Sequence, residues 1–207
     1  KISFWSILLL PFSFVYLVIC FVSSEFKIKK KFSIPVVCIG NIYLGGTGKT
    51  PLARRIFNIV KSMDKNPAFI KKYYKYLQDE IKILQETGKI FLCKNRQKGI
   101  IAASTNRYDV AILDDGFQDL SIKSNFSILC FNSKQSYGNG FVIPSGPLRE
   151  PLSAVSRADC IIINGSKNLK LEDKLKYTLG QKKLPIFYSK YKIHNIEKFK
   201  NKKIVAF

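Results

Sequence analysis

One stretch constrains this chain more than any other. The apolar run Pro35–Ile39 leads into Gly40–Asn41–Ile42–Tyr43–Leu44–Gly45–Gly46–Thr47–Gly48–Lys49–Thr50, and a helical pattern begins there. Glycines let backbone N–H groups approach phosphate oxygens, and the N-terminus of the following helix adds positive potential. Lys49 is placed to reach β- and γ-phosphates, and Thr50 carries a hydroxyl suited to a magnesium ion. Gly45, Gly46, Thr47, Gly48, Lys49 and Thr50 are therefore the expected nucleotide-binding residues. The strict G-x-x-x-x-G-K-[ST] pattern fails at one position, because Tyr43 stands where its first glycine belongs. The strand–turn–helix context compensates for that mismatch.

Around this element, short apolar runs alternate with helical patterns. Strands are expected at Pro35–Ile39, Ala68–Ile70, Ile90–Cys93, Val110–Leu113, Ser127–Phe131, Cys160–Ile163, Ile186–Tyr188 and Ile204–Phe207. Helices are expected at Gly48–Ser62, Gln78–Glu86, Gln97–Ser104 and Asn168–Tyr177. This alternation reads as an α/β fold with a mostly parallel sheet and flanking helices. The Gly- and Pro-rich stretch Asn132–Pro151 has no period, and so long a loop in a compact domain is usually functional.

Two further constellations carry chemistry. Asp114–Asp115–Gly116 closes a strand downstream of the phosphate loop. A carboxylate at the tip of a parallel strand lies beside that loop and can hold Mg²⁺, so Asp114 joins Thr50 as a candidate metal ligand. The segment Ile143–Pro144–Ser145–Gly146–Pro147–Leu148–Arg149–Glu150–Pro151 presents Arg149 and Glu150 on fixed turns, and an arginine there can clamp phosphate. Three other features read first as structural. Asp79 and Glu80 complement a helix dipole, His194 reads as a surface histidine, and Lys71, Lys72 and Lys75 with Tyr73, Tyr74 and Tyr76 read as a solvated face, too short a patch for nucleic-acid stacking.

The chain's 207 residues include 35 Lys+Arg against 14 Asp+Glu, a net charge of +21. That charge admits nucleotide, phosphorylated lipid or anionic membrane without choosing among them, and lysine-rich coding alone would also produce it. The five cysteines are odd in number and form no C-x-x-C pair, which argues against a disulfide framework or a zinc site. Residues Ile2 to Ser23 carry no charge, and as one helix they would extend about 33 Å, close to the ~30 Å hydrocarbon core. Lys27, Lys29, Lys30 and Lys31 follow and would keep the rest of the chain on the cytoplasmic side. Pro11 interrupts the run, and Ser6, Ser13, Cys20 and Ser24 fall on one side of it. Both a span and a helix lying in the interface are consistent with this pattern. Residues 1–24 are accordingly expected to associate with a membrane, and residues 33–207 to form the α/β domain.

In order, these blocks are an apolar N-terminal helix, a basic run, P-V-V-x-x-G-N-x-x-x-G-G-T-G-K-T-P, D-D-G-F-Q, and G-N-G-x-x-x-P-S-G-P-L-R-E-P. Together they resemble the tetraacyldisaccharide 4′-kinases, the lipid A 4′-kinases of Gram-negative bacteria, along the whole chain with one poor stretch. The resemblance implies a P-loop kinase. With ATP and Mg²⁺ it would phosphorylate the 4′ position of a tetraacyldisaccharide 1-phosphate, at the cytoplasmic face of the bacterial inner membrane. The expected partners are the lipid disaccharide and an anionic membrane surface, with no nucleic acid and no obligate protein partner inferred. The resemblance also implies ATP on Gly45–Thr50, Mg²⁺ on Thr50 and Asp114, and catalytic roles for Lys49, Asp115, Arg149 and Glu150. Asp79 becomes the expected base, since Gln78–Asp79–Glu80 stands where the family has G-D-E.

Several departures qualify the expectation. Lys71–Leu77 replaces a longer glycine-bearing loop, and Asp119 stands where the family often has His or Asn. The family carries a smaller second lobe, with a histidine that partners the base, beyond the position of Phe207. The chain is therefore expected to be the N-terminal portion of such a kinase, with slow or absent transfer. A membrane-bound P-loop NTPase without a lipid acceptor, or an inactive kinase remnant, stands as the alternative.

Overall fold

The computed structural model describes residues 3–191; the expected strand Ile204–Phe207 and His194 lie outside them. The chain order is α1 (Phe4–Leu8), α2 (Leu10–Glu25), β1 (Val36–Gly40), α3 (Lys49–Lys61), β2 (Pro67–Lys72), α4 (Gln78–Gln85), β3 (Ile90–Cys93), α5 (Arg96–Thr105), β4 (Val110–Asp114), β5 (Phe126–Asn132), β6 (Cys160–Asn164), α6 (Leu169–Leu179) and β7 (Ile186–Ser189). Single 3₁₀ segments cover Lys75–Leu77 and Leu152–Arg157. The helices and strands expected within the described residues form, most of them shifted by one or two residues at an end.

Among the described residues the strands make one parallel sheet in the order β3-β2-β4-β1-β5-β6-β7. Both faces are covered, which is why the central strands read as continuous apolar runs rather than alternating ones. On one face Ile39, Phe69, Ile112 and Ile128 pack against Ala53 and Phe57 of α3 and Leu84 of α4. On the other, Cys38, Ile70, Leu113, Leu129 and Ile161 pack with Ile100 and Ala103 of α5 and Leu171, Leu175 and Leu179 of α6. The five cysteines are free thiols, and burial pushes Cys38 up to about 12.

The topology creates a crevice at β1. The chain leaves β1 toward β2 on one side and leaves β5 toward β6 on the other, so the C-terminal ends of β1 and β5 open between diverging connections, with the end of β4 next to β1. Ligands of open α/β sheets bind at such a switch point. The register sets Ile39 beside Asp114, one residue before the phosphate loop begins.

The N-terminal segment departs from a single helix. Leu9 ends α1 and caps α2, and Pro11 stands in the first turn of α2. Proline lacks the N–H that would continue the helical ladder, so it starts a helix readily and interrupts one. No helix of the described residues is long and apolar enough to cross a membrane. The expected polar side is present, and it faces inward. Ser6 and Ser13 are buried, whereas Phe4, Trp5, Phe12, Phe14, Ile19 and Phe21 are exposed. The Ser13 hydroxyl donates to the Val142 carbonyl at 2.9 Å and accepts from the Ser145 N–H at 3.0 Å. The Tyr16 hydroxyl donates to the Arg149 carbonyl at 2.8 Å.

Candidate active site

The phosphate loop is shaped from within by two asparagines. Asn41 Nδ2 donates to the Tyr43 carbonyl at 2.7 Å and to Thr47 Oγ1 at 2.9 Å, and Asn164 Nδ2 donates to the Thr47 carbonyl. Gly48 takes a left-handed φ of +85°, and a Cβ there would meet the side chains of Asn164 and Tyr191. Only glycine accepts both conditions without strain. Gly48 caps α3 with no side-chain hydrogen bond, so the first N–H groups of the helix remain available to an anion. Tyr43 needs no glycine conformation: it is absent from the residues with positive φ. Its neighbourhood is instead zipped to the Arg149 loop, with Leu44 N–H on the Pro147 carbonyl at 2.8 Å and Arg149 N–H on the Ile42 carbonyl at 2.7 Å.

Two ionic clusters flank this loop. In the first, Asp115 accepts from Arg149 Nη1 on both oxygens, at 3.0 and 3.1 Å, and stands 3.7 Å from Lys49 Nζ. Burial acts to raise the Asp115 carboxyl, but Lys49 and Arg149 outweigh it and hold the group below the usual carboxylate range. Asp115 has φ +59°, and its carbonyl accepts from Arg96 Nη2 at 2.5 Å. Arg96 also pairs with Asp119 at 3.4 Å, which gives that unexpected aspartate a partner.

The second cluster surrounds Asp114. Thr50 Oγ1 lies 3.3 Å from Asp114 Oδ2, and the same oxygen is paired with Lys71 Nζ. Lys71 also reaches Glu80 Oε2 at 2.7 Å. Burial works against the charge of Lys71, but Asp114 and Glu80 outweigh it and hold the amine above the ordinary lysine range. Asp114 is fully buried, and its Oδ1 has no hydrogen-bond partner. A hydroxyl beside a carboxylate with an unmet acceptor is a donor set that suits a hard, oxygen-seeking cation such as Mg²⁺. Among the described residues no group of three or more His, Cys, Asp or Glu side chains gathers as a metal site.

The structure thus brings Lys49, Thr50, Asp114, Asp115 and Arg149 together. Arg149 and Glu150 do not act as a pair: Glu150 turns to Arg157 at 2.6 Å, with its other oxygen buried and unpartnered. Asp79, the expected base, is exposed in the first turn of α4, while its neighbour Glu80 reaches inward. Lys71 is only 2% exposed, which corrects the expectation of a solvated face at that residue. Sequence reasoning missed Lys71, Arg96 and Asn164, whose roles depend on long-range strand order. A cavity of about 480 Å³ opens next to the site, lined among others by Tyr16, Cys20, Phe21, Gln118, Arg149 and Glu150.

This combination of blocks has known relatives. The family model described as tetraacyldisaccharide-1-P 4′-kinase matches residues 5–88 and 76–207. The chain belongs to this family. A tetraacyldisaccharide 4′-kinase of Pelagibacter ubique is 39% identical over 202 residues, covering 96% of this chain and 63% of the relative. One from Rhodopseudomonas palustris (strain BisA53) is 30% identical over 182 residues, covering 79% of this chain and 53% of the relative. The chain therefore spans between half and two thirds of the length of these tetraacyldisaccharide 4′-kinases. Among solved structures, LpxK from Aquifex aeolicus in complex with ATP superposes with a TM-score of 0.67 at 20% identity, over 97% of this chain and 85% of that one. The signal recognition particle receptor FtsY from Elizabethkingia anophelis does so with a TM-score of 0.54 at 12% identity, over 76% and 59%. Both likenesses speak to the fold, a parallel α/β sheet with flanking helices.

Proposed function

We propose that this family member binds ATP on Gly45–Thr50 and transfers its γ-phosphoryl group to the 4′-hydroxyl of a tetraacyldisaccharide 1-phosphate at the inner-membrane surface. One observation carries the reading: the loop bearing Arg149 joins the phosphate loop to a helix whose outward side is apolar. The site thus has a nucleotide end and a lipid end. The division of labour is an N-terminal membrane-associated segment over residues 1–24, docked through α1 and α2, and an α/β domain over residues 33–207. The exposed aromatic and aliphatic side chains of α1 and α2, followed by the basic run from Lys27, suit an anionic bilayer interface better than a span.

In this reading Thr50 and Asp114 hold Mg²⁺, which when bound spreads the charge of the β- and γ-phosphates. Lys49 draws the phosphate oxygens toward the N-terminus of α3. Asp115 keeps Lys49 and Arg149 aligned, and Arg149 faces the transferred group. Asp79 accepts the proton of the 4′-hydroxyl as its oxygen attacks phosphorus and the bond to the ADP oxygen breaks. Glu150, held by Arg157, forms the acceptor-side wall of the cavity together with Tyr16 and Phe21.

Titration calorimetry with Mg·ATP tests the nucleotide end. Lys49→Ala removes the cation placed for the β/γ-phosphates and should weaken binding by about tenfold or more, the scale of one lost charge-assisted contact. Wild-type affinity in Lys49→Ala would remove the reading. ADP release that depends on added tetraacyldisaccharide 1-phosphate identifies a kinase, whereas release indifferent to it identifies an NTPase without acceptor.

A further inference from the structure

Lysine is an unusual occupant for the inside of a parallel sheet. Five of the six positions of β2 are buried, and Lys71 is among them. The strand lies between β3 and β4, so its C-terminal half points at the crevice edge where Asp114 ends β4. The ammonium of Lys71 there joins Asp114 of β4 to Glu80 of α4. Asp114 Oδ2 thereby serves Lys71 and Thr50 together, while Oδ1, equally buried, serves nothing. Two carboxylates converge on one cation, and that cation is covalently part of the chain.

We propose that Lys71 is a resident cation of the Asp114–Glu80 pair, a positioning residue that competes with divalent metal for Asp114. The inference rests on the reading that Thr50 and Asp114 hold Mg²⁺. An ammonium and a divalent ion on one carboxylate repel each other at short range, and a buried setting screens that repulsion weakly. The nucleotide-free chain therefore has little affinity for divalent ions at this place. Bound phosphate oxygens would change the balance by adding negative charge at the site. Removing the ammonium should leave Asp114 and Glu80 as an uncompensated pair that seeks a metal ion on its own.

Titration of Mn²⁺ without nucleotide, followed by the electron paramagnetic resonance signal of the free ion, separates the possibilities. Lys71→Met keeps the unbranched stem and removes the charge; it should bind Mn²⁺ about tenfold tighter than wild type, or more, as expected for one relieved like-charge contact. Lys71→Arg should resemble wild type. The double variant Lys71→Met/Asp114→Asn should lose the gain. Equal affinities for wild type and Lys71→Met, or a gain that survives in the double variant, would overturn the proposal. If Lys71→Met does not fold in metal-free buffer, melting is followed at rising Mn²⁺. Recovery of a cooperative transition in the variant, with no metal-dependent shift in wild type, supports the proposal, and failure of Mn²⁺ to restore folding overturns it. Mg·ATP calorimetry on the wild-type chain is read separately, so loss of the phosphate-loop reading is not confused with loss of this one.

Discussion

Gly40 ends β1 with its α-carbon against Phe117, at the point where the chain turns into the phosphate loop. A Cβ at Gly40 would overlap Phe117 Cβ and stand 3.0 Å from the Phe117 backbone nitrogen. Backbone yields less readily than a side-chain tip, so Gly40→Ala should destabilise the fold by about 1–3 kcal/mol, the usual range for overpacking. Urea unfolding measures this; an unchanged midpoint would show that the β1 end and the Phe117 turn are not rigidly apposed. At this scale the sequence was legible where chemistry and local order coincide. Gly45–Thr50 lies in the turn between β1 and α3, and Asp114–Asp115 stands at the end of β4, so their position in space follows from their neighbours in the chain. The Lys71 cluster was not legible, because Asp114 is brought to Lys71 by β2 pairing with β4 across some forty residues, and Glu80 reaches the same ammonium from α4. Asp79 and Glu80 show the same limit. Adjacent residues on a helix point in different directions, and only the packing of α4 tells which one reaches inward.

The elements themselves were readable from their apolar runs, since burial on both faces leaves the central strands of this sheet little choice of composition. What escaped the sequence is how elements are tied together. The N-terminus of α6 is an example. Asn168 caps the helix by accepting from the Leu171 N–H at 3.0 Å, and its own N–H donates to the Tyr188 hydroxyl at 3.0 Å. Tyr188 in turn donates to Glu172 at 2.6 Å, linking β7 to α6. This bond, aided by Lys176, holds the Glu172 carboxyl below its ordinary value. A depressed carboxylate stabilises the folded state above the unfolded pKa, ~4.3 for glutamate, and the contribution is lost as pH falls through the folded value. Glu172→Gln should therefore lower the melting temperature modestly at neutral pH, and the gap from wild type should close below about pH 4. A gap that persists undiminished at pH 3 would mean that the charge of Glu172 is not what stabilises this junction.

For the molecule as a whole, the long uncharged N-terminal run was legible as apolar, as carrying a serine side and as interrupted at Pro11, but the turns that Ser6 and Ser13 meet, around Asn139 and Ser145, were not, because they lie more than a hundred residues away. Trp5 is the chain's single tryptophan and is 68% exposed. Adding anionic vesicles should shift its fluorescence to the blue and quench it less by iodide, whereas neutral vesicles should do so weakly. Emission unchanged by either would count against a membrane-facing role for α1 and α2. The inward side of α2 bears on what such contact would convey. Tyr16 is bonded to the backbone of Arg149, and the side chain of Arg149 is bonded to Asp115 beside Lys49. Three linkages thus run from the inward side of α2 to the cation of the phosphate loop. A bilayer that grips α2 would act as a plane of reference as well as an anchor: the roll and depth of one helix would set the angle at which the nucleotide crevice faces the lipid.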